Sequence, residues 1–123
     1  MGSKVSDDDD EGVESVNEVR LIGRLTSEAR ERDLPSGDRI LLFRLVTDRP
    51  PERGRGSRAG DVVRRVDAIE CVAWRADVRR RMSAAKVGTW WEVQGVLRRR
   101  FWRGVAGPAS RMEVEVQRVT RAA

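Results

Sequence analysis

An aromatic residue stands among arginines in the last third of the chain. Arg98, Arg100 and Trp102 occupy every second position of the segment LRRRFWRG. If this segment is extended, the three side chains point to the same side, because side chains alternate across a strand. Guanidinium groups bind phosphates and an indole ring stacks on a base, so the spacing favours single-stranded nucleic-acid binding. In the alternative interpretation, Trp102 only covers the open end of the fold.

Trp74 is a second aromatic candidate. It ends the segment IECVAW, where Cys71 and Ala73 have the opposite parity and are predicted to face the core, so Trp74 is predicted to point outward and stack. Its alternative role is packing beneath a helix. Further candidate phosphate contacts are four arginines: Arg24, Arg32, Arg55 and Arg64. The last two come from the Pro-, Gly- and Arg-rich stretch 48–64, a long loop that either clamps the strand or is merely solvated.

The composition excludes several catalytic chemistries. The chain has no histidine and a single cysteine, so it forms neither a Cys/His zinc site nor a Ser-His or Cys-His nucleophile. No two carboxylates share an apolar context that would tune them for acid–base work. The sequence therefore predicts a protein that is not an enzyme and holds no metal or cofactor.

Charge is distributed unevenly along the chain. Residues 1–16 contain one lysine and six acidic residues, a net charge of −5, whereas the whole chain carries +5. The remaining +10 favours a polyanionic partner. Residues 1–16 lack hydrophobic periodicity and are predicted to be disordered. The acidic run at 7–11 is interpreted either as a solubility tail or as a mimic of DNA that folds back on the basic surface.

The sequence contains no membrane or export signal. No apolar stretch approaches the ~18 residues that a membrane-spanning helix needs, and the start, MGSKVSDDDD, lacks an apolar signal core. A single cysteine suits a reducing compartment. These features predict a cytoplasmic, nucleoid-associated protein without a membrane partner.

The periodicity of apolar residues predicts five strands and one helix. The strands are predicted at 19–25, 39–47, 66–74, 90–98 and 112–119. Helical spacing of Val78, Met82 and Ala85 predicts a helix over 75–87 that Gly88 ends, and residues 99–110 are predicted to form a hairpin-like loop. A helix between the third and fourth of five strands is the order of the OB fold, an all-β barrel predicted here at 17–121. An SH3-like barrel or an open α+β sheet fits the pattern nearly as well.

The adjacent tryptophans Trp90 and Trp91 must face opposite sides of their strand. Trp91 has the parity of Val93 and is predicted to lie in the core, whereas Trp90 and Glu92 face outward. We interpret this outward pair as an oligomer interface, with DNA contact as the alternative for Trp90. Phe101 faces away from Trp102 and is predicted to pack.

Four segments resemble the bacterial single-stranded DNA-binding protein family. They are NEVRLIGRL at 17–25, PSG at 35–37 with Arg32 just before it, ECVAW at 70–74 and GVLRRRFW at 95–102. The resemblance covers residues 17–121 and implies an OB-fold homotetramer that binds single-stranded DNA without sequence preference in replication, recombination or repair. It also implies stacking by Trp74 and Trp102 and phosphate contacts by Arg98 and Arg100.

The sequence departs from that family at several positions. The family commonly has a tryptophan near the start of the third strand and a basic residue further along it, where this chain has Ala68 and Glu70. The family's acidic C-terminal tail, which recruits replication partners, has no counterpart before Ala123. These differences predict a short paralogue, in which a dimer is the alternative to a tetramer. A primosomal accessory protein, a single-stranded RNA binder of the same fold and a protein–protein interaction module are the alternative functions.

Overall fold

The computed structural model of the protein describes residues 12–50 and 65–123. In these ranges the chain forms, in order, β1 Val19–Leu25, β2 Arg30–Asp33, β3 Arg39–Asp48, β4 Val66–Ala73, α1 Ala76–Ser83, β5 Trp90–Gly104 and β6 Gly107–Arg121. The acidic run at 7–11 and the arginines Arg55 and Arg64 lie outside the described residues, so their roles stay predictions. Within the described ranges, no helix has the length and hydropathy to span a membrane.

Five of the strands close into a barrel. β1 pairs antiparallel with β5 and β3, β5 with β6, and β3 with β4. β4 and β6 run parallel, with Cys71 opposite Val114. The order β1-β5-β6-β4-β3 thus returns to β1, with α1 between β4 and β5. This arrangement confirms the predicted OB fold. β2 pairs with β3 outside the closed ring and was not predicted, since its sequence RERD has no apolar residue.

Alternating apolar side chains fill the barrel. Leu45, Val93 and Val114 are buried, and the predicted core position of Trp91 is confirmed. α1 packs against β3, β4 and β6 and buries Val78 and Met82; burial of each such side chain stabilises the fold by about 1.5–3 kcal/mol. Burial also raises the pKa of the Cys71 thiol to about 12, so it stays protonated near neutral pH and acts as a small core residue.

The helix α1 is shorter than predicted. It ends at Ser83, with Ala84 as its C-cap, and Ala85 is only partly buried. Gly88 does not end the helix. It lies in the turn before β5 with a φ of 95°, and its N–H donates to the carbonyl of Leu25 at 2.7 Å. The glycine therefore allows the tight turn that brings the chain back to β1.

β5 and β6 extend beyond the barrel as a two-stranded ribbon. Their register continues from Leu97 opposite Val114 to Gly104 opposite Gly107, whereas residues 99–110 were predicted to form a hairpin-like loop. Residues 105–106 form the turn, and Gly107 takes a φ of 121°, which favours glycine. We call residues 97–112 the arm. An exposed ribbon has no buried side, so its sequence lacks the apolar alternation that would have predicted strands.

The predicted packing role of Phe101 is wrong. Its side chain is 73% exposed on the arm, where it lies opposite Ser110 in the ladder. Phe101 lies on the side of the ribbon away from Trp102, as its parity predicts, but no element of the described chain covers that side.

Candidate nucleic-acid interface

Strand register creates one continuous face on the outside of the barrel. Side chains of residues paired across neighbouring strands point to the same side. One row of partners runs through Arg30, Leu42, Val72, Glu115 and Val96, and so crosses β2, β3, β4, β6 and β5. Residues two or four positions further along these strands share this side, which we call the outer face. Its other charged members are Arg32, Arg44, Glu70, Arg98, Arg100, Arg111 and Glu113.

Trp102 lies on the outer face at the arm and is 40% exposed. The guanidinium carbon of Arg100 lies 5.2 Å from the centre of its indole ring, and that of Arg111 lies 5.6 Å from it. Both distances are within the range of a cation–π interaction. The predicted grouping of Arg100 with Trp102 is therefore present, and a base that stacks on a ring face covered by one of these guanidiniums has to displace it.

Trp74 lies directly after β4 and is 44% exposed. It lines a groove of about 430 Å³ together with Gln94, Gln117 and Arg118. Continuing the parallel register of β4 and β6 places Trp74 opposite Gln117. Trp102 lies opposite Ala109, which is eight residues before Gln117 on β6. Eight residues of strand span about 26 Å. The two candidate stacking residues thus stand at opposite ends of the outer face.

Three carboxylates occupy the outer face between the two indoles. Glu70, Glu113 and Glu115 come from β4 and β6, and we call them the acidic stripe. Arg98 pairs with Glu115 at 3.0 Å and Arg100 with Glu113 at 3.4 Å. Arg98 and Arg100, which were predicted to contact phosphates beside Trp102, are therefore already paired with carboxylates.

The third carboxylate of the stripe serves two arginines. Glu70 accepts a hydrogen bond from Arg44 and lies 4.0 Å from Arg111. In the sequence, Glu70 stood out only as a departure from the family pattern, and the predicted site residues did not include Arg44, Arg111, Glu113 or Glu115. The alternating acids of MEVEV were a signal for β6, yet only the register shows which arginines they meet.

The centre of this cluster is poorly satisfied in hydrogen bonding. Glu113 is 4% exposed, and its Oε2 atom is buried without a hydrogen-bond partner in the described residues. The Nε atoms of Arg100 and Arg111 are in the same situation. Buried polar atoms without partners cost free energy. Pairing with the acidic stripe therefore leaves a buried donor on each of these two arginines unsatisfied.

Arg24 and Arg32, the other predicted arginines within the described ranges, lie apart from this cluster. Arg32 is on β2, at the edge of the outer face, and Arg24 is on β1, with Val46 and Trp90 as its ladder partners. Both side chains are exposed, and neither has an ion-pair partner among the described residues. They are free to attract a polyanion at longer range.

Trp90 and Glu92 project outward from the β1–β5 side of the barrel. Trp90 is 37% exposed, and Ile22 of β1 is exposed beside it. Glu92 pairs with Arg20 at 2.9 Å, and this hydrogen bond lowers the pKa of its carboxyl. Trp90 is therefore exposed and can contact another subunit, whereas Glu92 is already paired with Arg20 of its own chain.

The described residues contain no group of His, Cys, Asp or Glu side chains arranged to hold a metal ion. The charged clusters of the outer face combine arginines with carboxylates, so they suit exchange with an anion and not coordination of a cation.

Comparisons with known proteins agree with this geometry. The model of the "Single-strand binding protein family" matches residues 16–122. "Single-stranded DNA-binding protein 3" of Listeria innocua is 32% identical over 92 residues, which cover 75% of this chain and 54% of that protein. "Single-stranded DNA-binding protein" of Oceanobacillus iheyensis is 30% identical over 92 residues, covering 75% and 53%. The chain thus spans about half the length of these relatives.

A solved structure is similar to the whole barrel. It comes from the "Plasmodium falciparum SSB complex with ssDNA" and superposes with a TM-score of 0.69, covering 89% of this chain and 95% of that chain. Its sequence identity is 23%, so this likeness concerns the fold.

Proposed function

The chain belongs to the single-strand binding protein family, and we propose that it binds single-stranded DNA without sequence preference. Membership agrees with the resemblance seen in the sequence and with the prediction that the chain is not an enzyme. The observation that carries the proposal is the outer face of the OB barrel, on which two exposed indoles stand at the ends of a row of arginines.

Binding begins with electrostatic attraction. Arg30 and Arg32 on β2 and Arg118 beside Trp74 are exposed and have no ion-pair partner in the described part of the chain. Phosphates that approach them are then positioned to compete with Glu113 and Glu115 for Arg100 and Arg98. Each arginine that exchanges a carboxylate for a phosphate releases counterions from the strand, so affinity falls as salt rises.

Stacking then fixes the bases. Each base that stacks on an aromatic side chain contributes ~1–3 kcal/mol and does so for any base, because every base has a π face. Trp74 and Trp102 supply two such platforms. Binding of this kind suits strands exposed in replication, recombination or repair, and we include these settings in the proposal. An RNA strand has similar phosphates and bases, so a preference for DNA has to be measured by comparing the affinities for DNA and RNA.

We also propose that the chain forms a homo-oligomer, a tetramer or alternatively a dimer, through the β1–β5 side. Exposed Ile22 and Trp90 lie on the same side there, with one ladder pair between them, since Ile22 is the partner of Glu92 and Trp90 the partner of Arg24. Burial of such residues is what an interface core needs. Light scattering of the purified protein measures the mass directly, and a monomer at micromolar concentration contradicts this proposal.

Tryptophan fluorescence during titration with oligo(dT) tests DNA binding. Quenching is expected, with an affinity that falls as salt is raised, and weaker binding of duplex DNA. Oligo(rU) in the same titration measures the preference for DNA over RNA. Absence of binding at low salt would remove the proposal and favour the protein–protein interaction module instead.

The two indoles should contribute unequally. Trp74→Ala is expected to weaken oligo(dT) binding at least fivefold, the loss of one stacked base. Trp102→Ala is expected to cost less, since Arg100 and Arg111 already lie over that ring. Anisotropy of a labelled oligonucleotide measures both, with Trp74→Phe as the variant that keeps a stacking surface. A larger loss for Trp102→Ala would contradict this order.

A further inference from the structure

The arm has a second face, opposite to the one that carries Trp102. Leu97, Arg99, Phe101 and Arg103 alternate with the outer-face residues along β5, and Met112 is the ladder partner of Arg99. We call these five residues the reverse face of the arm. Leu97, Phe101 and Met112 are exposed there, Phe101 most of all. The reverse face thus presents an aromatic ring between two arginines at every second position.

The arginines of the reverse face are not neutralised by carboxylates. Arg99 donates a hydrogen bond from Nη1 to Ser110 Oγ at 2.9 Å and makes no ion pair with the described residues. Arg103 has neither a hydrogen bond nor an ion pair within the described ranges. No acidic residue occurs between positions 97 and 112. On the outer face, by contrast, Arg98 and Arg100 are paired with the acidic stripe.

The ring of Phe101 is also more accessible than the indole of Trp102. Two guanidiniums lie over Trp102, whereas no cation of the described chain lies over Phe101. A base can stack on an uncovered ring without displacing a side chain, and phosphates on either side of that base meet Arg99 and Arg103. These two residues are four apart, about 13 Å along the strand.

We propose that the reverse face of the arm is a second single-stranded DNA-binding site, in which Phe101 stacks on a base and Arg99 and Arg103 hold phosphates. This inference rests on the proposed function and extends it, because the arm then contacts the strand on both faces. The second site thus lies on the arm face whose arginines are not paired with carboxylates. Its central residue is Phe101, which the sequence predicted to pack.

A strand of DNA fits this surface better than a second copy of the chain does. Two copies related by a two-fold axis would place the same patch against itself. Arg99 and Arg103 would then face like charges without any acidic residue of the arm to compensate them, which opposes association. A phosphate backbone supplies the opposite charge directly.

Anisotropy of a labelled oligo(dT) of about 30 nucleotides, longer than the site of one OB fold, tests the proposal. Phe101→Ala is expected to weaken binding five- to tenfold, and Phe101→Trp is expected to restore it. Arg99→Ala combined with Arg103→Ala should also weaken binding and make the dependence of log affinity on log salt shallower by about 1.4, from two lost phosphate contacts. Thermal melting should be unchanged, since these side chains are exposed.

Matched controls separate this site from general effects. Val105→Ala removes an exposed apolar side chain at the tip of the arm, and Arg80→Ala with Lys86→Ala removes two charges near α1. Both should bind as the wild type does. If the reverse-face variants bind as tightly as the wild type while Trp74→Ala binds more weakly, the proposed second site is wrong but the proposed function stands. Failure of the wild type to bind removes the proposed function itself. If Phe101→Ala changes the oligomeric mass but not the affinity for DNA, the reverse face is a contact between copies of the chain. That result also contradicts the inference.

Discussion

Gly95→Ala is expected to destabilise the protein by at least ~3 kcal/mol, and in the extreme to prevent folding. A Cβ atom at this position would lie 1.9 Å from the carbonyl oxygen of Glu115 and 2.9 Å from its carbonyl carbon. Both are backbone atoms of the adjacent strand, so no side chain can rotate away to relieve the clash. The strands themselves would have to separate.

The location of Gly95 makes such a separation costly. The register of β5 against β6 shifts between Gln94 and Gly95, so the two backbones approach closely at this irregularity. β1 pairs with the opposite side of β5, with Val19 as the partner of Gly95. A shift of β5 therefore disturbs two ladders of the barrel and displaces the base of the arm.

Urea denaturation followed by far-UV circular dichroism measures the effect. Gly104→Ala is the matched control on the same strand, because the nearest atom to its added Cβ is the carbonyl oxygen of Gly107 at 3.3 Å, near the exposed tip of the arm. That variant should cost less than ~1 kcal/mol. Equal stability of Gly95→Ala and wild type would show that the strands do not approach as closely as described.

The parts of the fold that the sequence predicted are those with a buried side. In β1, β3 and β4, every second residue faces the core, and this produces the alternation from which the strands were predicted. β2 and the arm lack such a side. Their backbone hydrogen bonds come from pairing with a neighbouring strand, and that pairing leaves no periodic signal in the side chains.

The candidate site was only partly accessible to sequence reasoning for the same reason. The parity of Arg98, Arg100 and Trp102 follows from the extended backbone alone, and the structure places them on one side. The ion pairs of Arg98 with Glu115 and of Arg100 with Glu113 depend on the register between β5 and β6. That register is set by the turn at residues 105–106, because it stays the same from the Gly104–Gly107 pair to the Gly95–Val116 pair. The sequence predicted a loop over 99–110 and so did not give the position of this turn.

Glu70→Gln, Glu113→Gln and Glu115→Gln combined are expected to strengthen oligo(dT) binding roughly 30-fold at low salt. Before a phosphate can use Arg98, Arg100 or Arg111, it must displace a carboxylate of the acidic stripe. The partly exposed pairs Arg98–Glu115 and Arg111–Glu70 are each worth ~0.2–1 kcal/mol. Loss of these pairs and of the more buried Arg100–Glu113 pair, together with loss of the repulsion between carboxylates and phosphates, amounts to about 2 kcal/mol, which corresponds to that factor.

The salt dependence identifies the cause of the stronger binding. If three arginines are freed to contact phosphates, the slope of log affinity against log salt should become steeper by about 2. Glutamine retains the shape of glutamate, so Glu113, which is 4% exposed, should not leave a cavity when it is replaced. Thermal melting of the variant checks that the barrel stays folded.

A control with the same change of charge separates the acidic stripe from net charge. Glu14→Gln, Glu18→Gln and Glu28→Gln combined also remove three negative charges, and these residues are exposed without ion pairs in the described ranges. This control should gain less than threefold in affinity, since none of these residues pairs with an arginine of the outer face in the described ranges. If both triple variants gained equally, general charge would explain the effect. If neither gained, the arginines of the outer face would not be the groups that hold the strand, and Trp74 with the exposed arginines of β2 would have to carry the binding.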